Sequence, residues 1–378
     1  MEFDLTEDLE MIRDSAREFA DRSLRPNAKR WDAEEVFPTE ALQEAAENGF
    51  LGLTVPEEYG GAGLGNLHAA VLLEEINAAD ASVGVTMSVH MSLVCSMLAK
   101  QGTPELKAKY LPRLATGELI GAYCLTEPQA GSDAAAVRTA ATRVEGGWKL
   151  TGTKSWITTG EQCGLMVVYA VTDAAAKPGS GISAFLVEKA FAGVAVGKKE
   201  KKLGIRASST TEIILENVFV PDENVVGEVN KGFKIALDTL DGGRIGIASQ
   251  AIGIHRACLE ASKKYAGERE QFGQAINRFQ AVSFMLADMA TELDAARLLV
   301  HRAAWLRDQG CVCTKECSMA KLFASRACNK AAIDAVQIHG GAGYTKEFDV
   351  ERYYRDARIT EIYEGATDIQ RIVISRNL

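Results

Sequence analysis

No uninterrupted apolar run in this 378-residue chain approaches the roughly 18 to 20 residues that cross a bilayer. Clean runs such as Leu165–Val171 stop far short, so no membrane helix is expected. Positive charge is also in short supply: 42 basic against 51 acidic residues give a formal net charge of −9. An acidic chain repels phosphate unless basic side chains gather locally, so a nucleic-acid module held by bulk charge is excluded. Any anionic ligand needs a local site. The start, MEFDLTEDLEMIRD, has neither a basic leader with an apolar stretch nor an Arg-rich, acid-poor transit segment. A cytoplasmic protein is expected, or a mitochondrial matrix protein already trimmed. Fixed-period repeats and low-complexity linkers are lacking too. The eight cysteines are scattered among helical patterns in a long chain, which predicts reduced thiols instead of a secreted disulfide framework.

What is present is the composition of a globular protein, 47% hydrophobic and 25% charged, with length for two or three packed units. Leu5, Leu9, Ile12, Ala16 and Phe19 recur at helical spacing, and Glu7 and Asp8 follow Thr6 where a helix N-terminus favours acid. Further helices are predicted at Thr39–Asn48, Leu67–Ala78, Val85–Lys100 and Pro104–Thr116. Near Gly121 the period changes to short segments rich in Val, Ile, Thr and aromatics, as in GWKLTG, GLMVVYAV, GISAFLVE and TEIILENVFVP. Helical pattern returns after Glu228, at Gly232–Leu240, Arg244–Tyr265, Phe279–Asp308 and Thr314–His339. Strands segregated from helices predict an α+β fold, mainly helical, and argue against a doubly wound nucleotide-binding sheet. The expected divisions are residues 1–119, 120–227 and 228–378.

Five stretches hold residue types suited to chemistry. Tyr123-Cys124-Leu125-Thr126-Glu127-Pro128-Gln129-Ala130-Gly131-Ser132-Asp133 is either a plain polar turn or a loop that aims N–H and O–H groups at a polar ring or pyrophosphate. In Lys154-Ser155-Trp156-Ile157-Thr158-Thr159-Gly160, an indole face and neighbouring hydroxyls suit a heteroaromatic ring, or a core tryptophan at a sheet end. Arg269-Glu270-Gln271-Phe272-Gly273, with Gln280, offers a phosphate-type guanidinium or a solvated charged loop. In Gln337-Ile338-His339-Gly340-Gly341-Ala342-Gly343, the glycines exceed what a helix C-cap requires. Finally, Ile362-Tyr363-Glu364-Gly365-Ala366-Thr367-Asp368 sets an acid among apolar neighbours, where burial raises its pKa towards that of a usable base; a helix-start carboxylate is the plainer alternative.

Together, in this order, YCLTEPQAGSD, WIT-T-G, R-x-QFG, Q-I-HGGAGYT and IYEGA resemble the acyl-CoA dehydrogenase family over essentially the whole chain, and its short-chain, butyryl-type members in particular. The resemblance implies an N-terminal helical domain, a central β domain and a C-terminal four-helix bundle. It also implies FAD as cofactor, a homotetramer built as a dimer of dimers, and electron-transferring flavoprotein as electron acceptor. Tyr123, Leu125, Thr126 and Ser132 would then line the flavin, with Trp156, Ile157 and Thr158 along its ring. Arg269, Phe272 and Gln280 would reach the pyrophosphate region, and Gln337, Gly340, Gly341, Ala366, Thr367 and Asp368 would complete the cofactor site. Ser132, Asp241, Arg244 and Gly365 are expected at the acyl-CoA substrate. The implied reaction is α,β-dehydrogenation of the thioester, in the fatty acid β-oxidation class. Glu364 would be the base, its own N–H part of an oxyanion hole, and flavin N5 the hydride acceptor.

Two positions depart from common patterns. One branch of that family carries its base immediately before the arginine of the substrate pair, where this chain has Gly243; that favours Glu364. Ala366 stands where many relatives have threonine, so a hydroxyl contact to the cofactor is lost. His90 and the Gly242-Gly243 pair leave the acyl pocket open, so a cyclic or branched acyl-CoA, or a relative that uses oxygen, is the alternative. The Cys311-x-Cys313-x3-Cys317 cluster lacks a second metal hook and is read as structural. Lys198-Lys199-Glu200-Lys201-Lys202 is read as a solvated turn, and His68, His255 and His301 as surface or packing residues.

Overall fold

The computed structural model describes residues 4–378. Helices come first: α1 (Glu7–Phe19), α2 (Arg25–Glu34), α3 (Thr39–Glu47), α4 (Asn66–Ala79), α5 (Ala81–Ser88), α6 (Ser96–Gln101) and α7 (Pro104–Ala115). A wider-turned segment, Val89–Cys95, joins α5 to α6, so helical backbone runs from Ala81 to Gln101. It starts four residues before the expected Val85 because the Asp80 carboxylate accepts from the N–H groups of Ser82 and Val83, an N-cap. This segment has the length and apolarity of a membrane span, but nearly all of it is buried inside the protein, which makes it a core helix.

The strands are β1 (Gly121–Cys124), β2 (Ala140–Val144), β3 (Gly147–Thr158), β4 (Leu165–Val171), β5 (Ile182–Glu188), β6 (Val194–Lys199), β7 (Thr210–Pro221) and β8 (Val225–Val226). They form one sheet in the order β6-β7-β3-β2-β4-β5-β8, with β1 parallel to β4. Because side chains alternate along a strand, β4 serves two cores. Leu165, Val167 and Tyr169 pack with Leu98, Leu111 and Leu114 of the helices, while Met166, Val168 and Ala170 pack with Trp148, Phe185 and Ile213 across the other face.

The remaining elements are α8 (Gly232–Glu268), a hairpin of β9 (Glu270–Gln271) and β10 (Gln274–Ala275), α9 (Gln280–Asp308), α10 (Thr314–His339), α11 (Val350–Ile359) and α12 (Thr367–Arg376). Small residues such as Ala248, Ala251, Ala296, Ala303, Ala320, Ala324 and Ala331 line their shared core and let the long helices approach closely. The expected break at Asp241-Gly242-Gly243 does not occur: α8 is one helix of 37 residues. A mid-helix glycine costs about 1 kcal/mol relative to alanine. Packing overrides that cost, because a Cβ at Gly243 would lie 2.8 Å from Leu93 Cδ2 and one at Gly246 would lie 2.2 Å from Ser88 Oγ. The glycines form a flat ridge against the Ala81–Gln101 segment.

His90 is a structural joint. Its Nδ1 accepts from the Gly121 N–H at 3.0 Å and its Nε2 faces the Leu114 carbonyl at 3.1 Å, tying the end of α7 to the start of β1. Burial holds the ring neutral, with its pKa lowered to about 4. Lys202 departs from the solvated-turn expectation: its Nζ turns inward to the Ser208 carbonyl at 2.6 Å, and burial lowers its pKa to about 8.

Candidate active site

The loop after β1 and the end of β3 are fastened together by a buried ion pair. Lys154 has no exposure and Glu127 is 4% exposed, with Nζ 2.7 Å from Oε1 and 3.2 Å from the Leu125 carbonyl. Glu127 also accepts from the N–H groups of Arg138 at 2.7 Å and Thr139 at 2.9 Å. Burial alone would raise this carboxyl's pKa, but the Lys154 charge and these donors overcome it and hold it at about 2. The loop is further pinned where the Ser155 N–H donates to the Thr126 carbonyl at 2.9 Å. Leu125 is buried, whereas Ser132 and Gly131 are exposed at the tip.

Immediately past Lys154 the β3–β7 register shifts, and Trp156 adopts φ +61°, a left-handed conformation unusual for a bulky residue. The irregularity turns the indole out, leaving it 59% exposed, while Ile157 is buried and Thr158 pairs opposite Thr210. Strain of this kind, about 1–3 kcal/mol, persists only where the surroundings over-determine it, and the Glu127–Lys154 pair is next door.

Glu364 lies in the turn between α11 and α12, with φ +50°, followed by Gly365 at φ +92°. Tyr363 donates to Gln250 of α8, and Gln370 Nε2 donates to the carbonyls of Glu364 at 3.2 Å and Gly365 at 2.8 Å. The left-handed turn swings the carboxyl against α8: a Cβ at Gly243 would lie 2.9 Å from Glu364 Oε2. That oxygen is buried and has no hydrogen-bond partner among the described residues. Burial raises the Glu364 pKa to about 7, against the pull of Lys321 and Arg244. The Tyr123 ring of β1 meets Tyr169 edge-on at 5.2 Å, and its phenol is pushed well above its ordinary range by desolvation, with Tyr169 and then the Glu364 charge adding to the shift.

Asp241 and Arg244 share one face of α8, as their spacing predicts, and bind each other at 2.6 Å. Arg244 also reaches Ser318 Oγ of α10 at 3.2 Å, and Asp241 accepts from Thr314. Beside Gly242 a narrow groove opens, lined by Thr54, Met91, Ser92, Ser96 and Gly246 among others.

The other predicted residues form a separate group. Tyr265 stacks on His339 at 4.3 Å, which brings the Arg269–Phe272 hairpin and the Gln337–Gly341 turn to one end of the helical bundle. Arg269, Gln280, Gln337, Gly340 and Gly341 are exposed there, and Phe272 is 94% exposed. Ala366 is the N-cap of α12, Thr367 bonds back to Glu361, and Asp368 is exposed and paired with Arg371. The residues of the two groups fit a flavin nucleotide. A flat indole stands uncovered at the end of β3, one Glu364 carboxyl oxygen is buried without a partner among the described residues, and Gly131, Gly340 and Gly341 have open space where a Cβ would stand. Sequence reasoning missed the Glu127–Lys154 pair and Lys321 of α10, both buried lysines in apolar patterns where an isolated charge is out of place.

Models of the acyl-CoA dehydrogenase N-terminal, middle and C-terminal domains match residues 6–118, 122–218 and 230–378. The short-chain specific acyl-CoA dehydrogenase of Clostridium acetobutylicum is 45% identical, with 99% of each chain covered. The solved butyryl-CoA dehydrogenase of Megasphaera elsdenii superposes with a TM-score of 0.98 at 40% identity, covering 100% of this chain and 99% of that one. A structure described as the electron transferring flavoprotein of Acidaminococcus fermentans matches with a TM-score of 0.98 at 46% identity, with 100% and 99% covered. The chain belongs to the acyl-CoA dehydrogenase family, flavoprotein oxidoreductases with this helix–sheet–helix fold.

Proposed function

We propose that the protein converts a short-chain acyl-CoA to its trans-2-enoyl-CoA, with Glu364 removing the α-proton. The observation that carries this reading is the Glu364 carboxyl, with one oxygen buried and unpartnered and its pKa raised to about 7. An ordinary glutamate, near 4.3, is far too weak a base for a carbon acid beside a thioester. Substrate entering against Gly243 removes more water from the carboxyl and raises its proton affinity further. In this reading the Glu364 N–H donates to the thioester oxygen, where enolate charge develops.

Tyr123, Leu125, Thr126, Ser132, Trp156, Ile157 and Thr158 hold FAD on one side; Arg269, Phe272, Gln280, Gln337, Gly340, Gly341, Ala366, Thr367 and Asp368 complete the site in a homotetramer. Bound FAD supplies the oxidising power for loss of the β-hydrogen as hydride. Asp241 and Arg244 hold the CoA portion together with Ser132 and Gly365. The butyryl-CoA and electron transferring flavoprotein descriptions of the structural neighbours support this substrate length and an electron-transferring flavoprotein as acceptor. The exposed apolar side chains Phe323, Ile333 and Ile372 of α10 and α12 support burial against other subunits.

Anaerobic mixing of the purified yellow protein with saturated acyl-CoAs of graded length tests the proposal. Bleaching should be fastest with short straight chains, and Glu364→Gln should keep its colour while bleaching about 10²–10⁴-fold more slowly. Rapid bleaching by Glu364→Gln overturns the role of the base; oxygen uptake during turnover, or faster reduction by branched chains, overturns the acceptor or the substrate.

A further inference from the structure

Lys321 is fully buried on a face of α10 otherwise made of small residues, among them Cys317, Ser318, Ala320, Ala324 and Ser325. Burying an ammonium is expensive unless something nearby uses its charge. Its Nζ donates to the Gly365 carbonyl at 2.8 Å. That bond alone does not explain a lysine, because Gln370 Nε2 already donates to the same carbonyl at 2.8 Å. Among the described residues Lys321 forms no salt bridge, yet the carboxyls nearest in effect are those of Glu364 and then Glu361.

We infer that Lys321 is a positioning residue for the Glu364 carboxyl: from within α10 it clamps the left-handed Glu364–Gly365 turn through the Gly365 carbonyl, and its charge sets how tightly that carboxyl holds a proton. The inference rests on the reading of Glu364 as the base.

The charged and titratable groups around the turn single out this lysine. Arg244 of α8 acts on the carboxyl as well, but its charge is already paired with Asp241, whose carboxylate lies 2.6 Å from Nη1; Nη1 also reaches Ser318 at 3.2 Å, while Nε has no partner among the described residues. The phenols of Tyr123 on β1 and of Tyr363 in the turn face it as uncharged groups. Glu361 faces Lys321 but is itself paired with Arg358. Of the two cations that act on Glu364, Lys321 is thus the one with no carboxylate partner among the described residues. Burial lowers its own pKa to about 8, which keeps it charged at neutrality. The clamp also holds two consecutive residues at positive φ, +50° and +92°, where a non-glycine such as Glu364 needs support. One turn of α10, Ser318 to Lys321, thus braces both the arginine of α8 and the turn that carries the carboxyl.

The test compares Lys321→Gln, which keeps a donor without charge, with Lys321→Met, which keeps neither. In the FAD-loaded protein, the Glu364 carboxyl is titrated by infrared difference spectroscopy, its band assigned by its loss in Glu364→Gln. Both variants should move that titration up by about one pH unit, since a carboxylate without its cation binds a proton more tightly. The acid limb of kcat/KM should move with it, a roughly tenfold loss well below the plateau. Lys321→Met should also lower kcat at high pH, and Lys321→Gln should recover part of that loss. An unmoved titration in a folded variant overturns the inference, as does an even loss of activity at every pH. Lys321→Gln, the milder change, carries the test where Lys321→Met does not fold. Because the infrared titration needs no turnover, failure of Glu364 as base appears separately, as activity surviving in Glu364→Gln.

Discussion

Glu127 and Glu364 are both drawn out of water and both face a buried lysine, yet the first has its pKa held at about 2 and the second is raised to about 7. The difference lies in what reaches the oxygens. Glu127 accepts from the Lys154 ammonium and from the N–H groups of Arg138 and Thr139, so its charge is stabilised where it stands. Glu364 keeps Oε2 without any donor among the described residues, and Lys321 spends its hydrogen bond on the neighbouring carbonyl. A carboxylate surrounded by donors is scaffold, whereas one kept under-satisfied in an apolar wall is a proton acceptor. In the fold the Glu127–Lys154 pair anchors the loop that follows Tyr123 to the end of β3.

The sharpest way to break the comparison is to remove the cation from the scaffold side. Lys154→Met leaves Glu127 buried without its partner, and breaking a buried pair in this way costs about 3–5 kcal/mol. Thermal and urea unfolding should show that loss. The acid limb of stability should change shape as well: a carboxyl lowered to about 2 contributes stability above its unfolded value that is lost as pH falls towards 2, and the variant should lack that slope. A loss below 1 kcal/mol would mean that the N–H donors alone hold Glu127.

Much of this arrangement was legible in the sequence. Period changes at Gly121 and after Glu228 mark the helix–strand–helix order, and Thr314–His339 is one helix at the expected ends. The apolar neighbours of Glu364 allowed a buried acid but left a helix-start carboxylate as the plainer reading, and it was the resemblance of IYEGA to the family that singled it out. The continuity of α8 was not, since Gly242-Gly243 reads as a breaker until Leu93 and the Glu364 carboxylate are known to press against it. His90 was equally opaque, because its partners are main-chain groups of Leu114 and Gly121, and no side-chain pattern announces them. Lys154 and Lys321 escape for the same reason: their partners lie 27 and 44 residues away in the chain.

A smaller effect sharpens the other side of the comparison. Gly243→Ala adds a methyl group 2.9 Å from Glu364 Oε2 and 2.8 Å from Leu93 Cδ2. Alanine favours the helix by about 1 kcal/mol, but overpacking a close contact costs about 1–3 kcal/mol, so net stability should change little. The carboxyl is the movable neighbour. Activity should therefore fall about tenfold through kcat, with unfolding nearly unchanged; unaltered kcat would show that the Glu364 turn yields freely.

The last expected effect concerns stability in place of rate. Between the ordinary glutamate value near 4.3 and its raised value of about 7, Glu364 binds more proton in the folded state than in the unfolded one. Stability is therefore fully present below that window and falls as pH rises through it. Glu364→Gln removes this cost, so the variant should gain stability on the wild type between pH 5 and pH 8. Asp356, also raised to about 7 by burial, titrates in both proteins and cancels from the difference. Lys321 adds to it: without a negative neighbour its pKa falls further, and a lysine lowered in the folded state favours folding more as pH rises. Paired urea titrations at the two pH values measure the gap, and curves that stay parallel would place Glu364 in an environment no different from water, with Glu127 the only perturbed member of the pair.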